Sequence, residues 1–220
     1  MILVSTARPM GGDPVYDQNQ LFAKASWERV ATAIVYFNDP QPALKSPITR
    51  FIPSPPFPHL IDLVNFCADQ DEWCAILNAD IWLAPNFKKV AEQLKARHAI
   101  AASSWRWNFD PAAGVEPCVH DDNGLDFFAA ASGAWEMLHR AMKAPSPRGD
   151  EDSPTQLRLG VQQWDSWCLG AFNKLFANIG FYDITNTKCV RHPRHEGRVY
   201  GPPPRPVHFL AWPVMGASFL

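Results

Sequence analysis

The chain has 220 residues, 47% of them hydrophobic and 19% charged, and a formal net charge of −2. It is long enough to bury a sizeable core and too apolar to be disordered. A charge so near zero excludes a global attraction to polyanions and leaves only local basic patches to consider.

The opening MILVSTARPM has too short an apolar run and no cationic lead for a signal peptide. No window approaches the roughly 18 continuous apolar residues of a membrane span. A soluble, cytoplasmic protein with no membrane partner is expected. Residues 2–6 read as a buried first strand, followed by a Gly/Pro loop over 9–14. Residues 18–33 are helix-compatible, and Ala33–Phe37 reads as a second strand that stops at Asn38-Asp39-Pro40. A proline-dense connector covers 40–58. Leu60, Leu63, Val64 and Cys67 then recur at helical spacing.

The run Cys74-Ala75-Ile76-Leu77 is a strand that breaks into Asn78-Ala79-Asp80. Pro85-Asn86 opens a helix with Phe87, Val90, Ala91 and Leu94 on one face, and Ala99–Ser103 is another short strand. Alternating strands and helices predict a largely parallel α/β sheet, whose ligands collect outside the carboxyl ends of the strands. Farther on, Leu125–Ala131 reads as a strand and Trp135–Met142 as a helix. Residues 145–158 read as a polar loop, 164–177 as a helix, and Phe181–Thr185 and Lys188–Arg191 as short strands. The tail 201–220 is proline-rich and then apolar, suited to packing back onto the fold. One domain is expected, with halves at about 1–105 and 106–220. The five cysteines (Cys67, Cys74, Cys118, Cys168, Cys189) are scattered, form no CxxC pair and fit a reducing compartment.

Several residues carry chemistry. A carboxylate at a strand's carboxyl end, such as Asp80, suits Mg²⁺ or Mn²⁺, whose remaining ligands phosphates can supply. The competing reading is a turn in which Asn78 and Asp80 bond their own backbone. Asp165 opens a helix, a good place for a general base and equally for an N-cap. Trp164 and Trp167 beside it serve as core or as an apolar wall for a ligand. Arg191, His192, Arg194, His195, Arg198 and Arg205 form a basic run that suits a diphosphate or a solvated loop. No HExxH or Cys/His cluster marks structural zinc. In SSWRWNF, Trp105, Arg106 and Trp107 offer either base stacking or edge packing.

In order along the chain, CAILNADIWLAP, GLDFFAAASG (124–133), LGVQQWDSWCL (159–169) and YDITNTKCVRHPRH (182–195) resemble glycosyltransferases of the GT-A fold, with Asn78 at the first Asp of their DxD motif. STARP and ITRFIPSPPFP fit more weakly. The resemblance spans roughly residues 1–200.

It implies a single-domain, GT-A-like, Rossmann-type mixed sheet. It also implies metal-dependent transfer of a sugar from a nucleotide-sugar donor, UDP-sugar favoured, to an acceptor hydroxyl. Asp80 would bind Mn²⁺ or Mg²⁺ with His192 or His195, and Asn78 would assist at the metal or ribose. Thr6 and Arg8 would lie near the nucleotide, with Arg191 and Arg194 at the phosphates. Asp165 would be the base of an inverting reaction, and Asp126 a second acidic group near donor or acceptor hydroxyls. Trp164, Trp105 and Arg106 would meet the acceptor, for which a hydroxymethylated base in DNA is a minority reading. Two alternatives stand beside it. One is a catalytically silent binding module, favoured by Asn78. The other is a sugar nucleotidyltransferase, disfavoured because Gly11-Gly12 comes late after the first strand.

Overall fold

The computed structural model describes residues 1–114, 116, 118–121, 125–144, 154–159, 164–194 and 217–218. Its main sheet has eight strands in the order β12-β10-β6-β9-β4-β1-β2-β3. These are β1 (Ile2–Ser5), β2 (Ala33–Phe37), β3 (Thr49–Ile52), β4 (Cys74–Leu77), β6 (Ala101–Ser104), β9 (Phe127–Ala130), β10 (Phe181–Asp183) and the two-residue β12 (Ala217–Ser218). All pairings are parallel except those of β9, which runs against both β4 and β6. The fold is therefore a mixed α/β, Rossmann-like one with a mostly parallel sheet.

The strands read as near-continuous apolar runs because both faces of the sheet are covered. Side-chain alternation sorts them into two cores. Leu3, Ile34, Ala75, Leu77, Ala102 and Phe127 pack with α1 (Pro14–Trp27) and α3 (Phe87–Ala96). Val4, Val35, Ile76, Ala101 and Phe128 pack with α2 (Leu60–Ala68), α4 (Ser132–Lys143) and α5 (Trp164–Phe176). Gly180 turns α5 into β10 at φ +125, where a Cβ would meet the Ile100 nitrogen at 3.2 Å.

Four points add to the sequence reading. Helix α1 starts at Pro14, because Asp13 accepts the Val15 N–H and Pro14 occupies the first turn. Strand β3 lies inside the proline-dense connector, as an edge strand paired only to β2. Strand β9 is antiparallel. Finally, β5 (Trp82–Leu83), β7 (Arg106–Phe109), β8 (Cys118–Asp121) and β11 (Val190–Pro193) build a second sheet, ordered β5-β11-β7-β8. The chain passes from β6 into β7 through Trp105 alone. Most of the predicted 145–158 loop and of the tail lies outside the described residues. All five cysteines are free, and no helix among the described residues is long and apolar enough to cross a membrane.

Candidate functional site

The site is assembled at one edge of the main sheet. Strands β1, β4 and β6 end there, and because β9 runs backwards its beginning lies at the same edge. Register then makes contacts that sequence distance hides. Leu77 pairs with Phe127, so Asn78 and Asp126 are the next pair along, and Asn78 Nδ2 donates to Asp126 Oδ1 at 2.6 Å. Continuing the β1–β4 register sets Thr6 beside Asn78.

Asp126 is 5% exposed, and a carboxylate so buried needs partners. Besides Asn78 it has Arg106, whose guanidinium reaches Asp126 Oδ2 at 2.7 Å and Asp121 Oδ2 at 3.0 Å. Burial alone would lower the Arg106 pKa, but the charges and hydrogen bonds of Asp126 and Asp121 outweigh it and raise it. Arg106 is thus a strut between two carboxylates. Asn108, on the same face of β7, adds a 2.8 Å bond from Nδ2 to Asp121 Oδ2.

Strand β11 brings in the histidine. Its antiparallel pairing with β5 matches Arg191 to Trp82, so His192 falls beside the residues just before β5. His192 Nε2 lies 3.4 Å from Asp80 Oδ2, with side chains only 9% and 16% exposed. That separation is long for a strong hydrogen bond. It is near the roughly 3 Å between adjacent ligands of a cation with bonds of about 2.1 Å. A carboxylate oxygen suits Mn²⁺ or Mg²⁺, and the imidazole nitrogen beside it favours Mn²⁺ of the two, so these residues fit the expected ion as part of a seat. Among the described residues no third carboxylate, histidine or cysteine joins them. His195 lies outside the described residues.

Asp165 sits in the first turn of α5, where its Oδ1 accepts the Ser166 N–H at 2.8 Å. Burial, helped by the Asp126 charge and opposed by that N–H and by Arg106, raises its pKa to about 6. A carboxyl poised near neutrality is what a general base requires.

The remaining expected residues are engaged in other contacts. Arg191 and His192 are neighbours on one strand, so they point to opposite faces. Arg191 lies away from the cluster, paired with Glu116 at 2.5 Å, donating to the Lys188 carbonyl and stacked 5.3 Å from the Trp82 ring. Arg194 is exposed, and its backbone N–H donates to the Phe109 carbonyl. Trp164 is 3% exposed and packs edge-on to Phe128, which assigns it to the core rather than to a ligand wall. Trp105 is half-buried, and its backbone N–H donates to Thr185 Oγ1. Thr6 Oγ1 donates to the Phe37 carbonyl at 3.3 Å, and the Arg8 guanidinium lies 3.9 Å over the Tyr16 ring. Asn108 and Asp121 are the members that sequence reasoning missed. The alternation in Arg-Trp-Asn-Phe put Asn108 within reach as a partner of Arg106, but nothing local marked Asp121.

No protein-family signature matches the chain, and no curated protein matches it. A similar solved structure is a protein described as a glucose-1-phosphate thymidylyltransferase of Bacillus anthracis, in complex with sucrose. The TM-score is 0.46 at 8% identity, over 84% of this chain and 86% of that one.

Proposed function

We propose that this protein is a metal-dependent glycosyltransferase of the GT-A type, one domain with a donor half at about 1–105 and an acceptor half at about 106–220. It moves a sugar from a nucleotide-diphosphate donor, UDP-sugar first, to an acceptor hydroxyl. The observation that carries this reading is the pairing of Asp80 with His192 at 3.4 Å, at the same sheet edge where Asn78 meets Asp126.

Asp80 and His192 hold the Mn²⁺ or Mg²⁺, which when bound neutralises charge on the departing diphosphate. Arg106 and Asn78 fix the Asp126 carboxylate in place as a second acidic group for donor or acceptor hydroxyls. Asp165 takes the proton of the acceptor hydroxyl as that oxygen bonds to the anomeric carbon and the bond to the diphosphate breaks. Attack from the face opposite the leaving group inverts the anomeric configuration. The half-buried Trp105 borders the acceptor side.

The test is a set of thermal melts with UDP, GDP and dTDP, each with and without Mn²⁺. Stabilisation is expected with at least one nucleotide and only when Mn²⁺ is present. Nucleotide-sugar turnover is expected from the wild type and lost in Asp80→Ala. No stabilisation by any pair overturns the proposal, and stabilisation without turnover favours a silent binding module. Sugar mass added to hydroxymethylated DNA would identify that acceptor.

A further inference from the structure

The polar face of the second sheet holds one atom without a partner. Asn108 Nδ2 donates to Asp121 Oδ2, whereas Asn108 Oδ1 is buried and accepts no hydrogen bond. A buried acceptor left so forfeits its hydration without replacement, which destabilises the fold. Turning the amide over would not help, because Oδ1 would then face the Asp121 carboxylate.

The planar amide has its oxygen on the side opposite its nitrogen. Nδ2 is engaged by Asp121 of β8, and the strand on the other side of Asn108 is β11, where His192 is its register partner. Paired residues on adjacent strands share a face and stand about 5 Å apart. His192 Nε2 in turn lies 3.4 Å from Asp80 Oδ2. Register therefore brings an amide, an imidazole and a carboxylate side chain to adjacent positions across β7, β11 and the approach to β5.

We infer that Asn108 Oδ1 completes, with Asp80 and His192, a three-donor seat for a hard divalent cation. The inference rests on the metal-dependent reading above and adds a ligand to it. Amide and carboxylate oxygens suit Mn²⁺ and Mg²⁺, and the cation supplies the partner that Oδ1 lacks. Two of the three donors are neutral, so the seat carries a single negative charge. The cation consequently binds weakly alone and tightly once a diphosphate adds its own oxygens.

The test is Mn²⁺ titration of the full chain by electron paramagnetic resonance, without nucleotide and with UDP, GDP or dTDP, alongside melts free of metal. Wild type should bind Mn²⁺ more tightly with UDP than without. Asn108→Ala should weaken Mn²⁺ by about tenfold or more. Asn108→Asp sets a carboxylate against Asp121, so it should melt lower than wild type without metal and gain more from added Mn²⁺. If Asn108→Ala binds Mn²⁺ as tightly as wild type, or Asn108→Asp gains no more than wild type, the role of Asn108 is overturned and the Asp80–His192 pair stands. If wild type binds no Mn²⁺ with UDP, GDP or dTDP, both readings fall.

Discussion

Arg106 and Asn108 face the candidate site, while Trp107 and Phe109, one step along the same strand, face away from it. The two faces of the second sheet are made of the same strands and have opposite chemistry. One carries Arg106, Asn108 and Asp121, joined by an ion pair and a hydrogen bond, with His192 as the register partner of Asn108. The other carries Trp82 and Phe109, stacked with Phe22 of α1 at centroid distances of 5.7 to 6.1 Å. The difference teaches that position parity, more than residue type, decides which cations serve the site. Arg106 serves it. Arg191, equally basic, is turned to the aromatic face and held there by Glu116.

That contrast can be broken in graded ways. The largest effect is expected at the proposed base. Asp165→Asn should lower kcat by about 10²- to 10⁴-fold, measured with whichever donor stabilises the wild type. Next come two substitutions of comparable cost and different meaning. Phe109→Ala should lose about 3–5 kcal/mol of stability in denaturant titration. Arg106→Leu should lose about 3–5 kcal/mol by leaving Asp126 buried without its cation. If the faces are as distinct as drawn, Phe109→Ala protein that remains folded keeps nucleotide and Mn²⁺ binding, and Arg106→Leu does not.

Asn78→Asp is a smaller change with a sharper message. The amide donates to Asp126 at 2.6 Å, which a carboxylate cannot do. A fall in stability of about 1–3 kcal/mol is expected despite the closer match to a DxD motif.

The smallest effect is on pH dependence. Asp165 must be ionised to accept a proton, so kcat/KM should fall as pH drops through about 6. Its folded pKa lies above the unfolded value, so ionising it opposes folding at pH above about 6, and that cost is absent where both states are protonated. Asp165→Asn should therefore raise stability at pH 8 by about 1–2 kcal/mol, trimmed by partial exposure to water, and leave it unchanged near pH 3.

Much of the main sheet was legible because its buried parallel strands are short apolar runs that end in polar residues. Ala33–Phe37 and Cys74–Leu77 are bounded where their side chains predicted. The second sheet was not legible, since two-residue β5 has no period to read and pairs with a strand more than a hundred residues away. The same limit governed the site. Asn78, Asp80 and Asp165 announced themselves by local context. The strut from Asp126 through Arg106 to Asp121 depends on which strands meet. The basic run after Lys188 looked like one patch, and only strand alternation divides it.

Trp105 is the whole connection between β6 and β7. It sets the reading frame of β7. One residue inserted there would move every β7 side chain to the opposite face, as a register slip does. Arg106 and Asn108 would be pressed against Phe22 and Trp82, and two aromatic rings would enter the carboxylate network. The mixed chemistry of this short strand is therefore tolerable only at one linker length, and a single-residue insertion at 105 should cost more than any substitution within the strand.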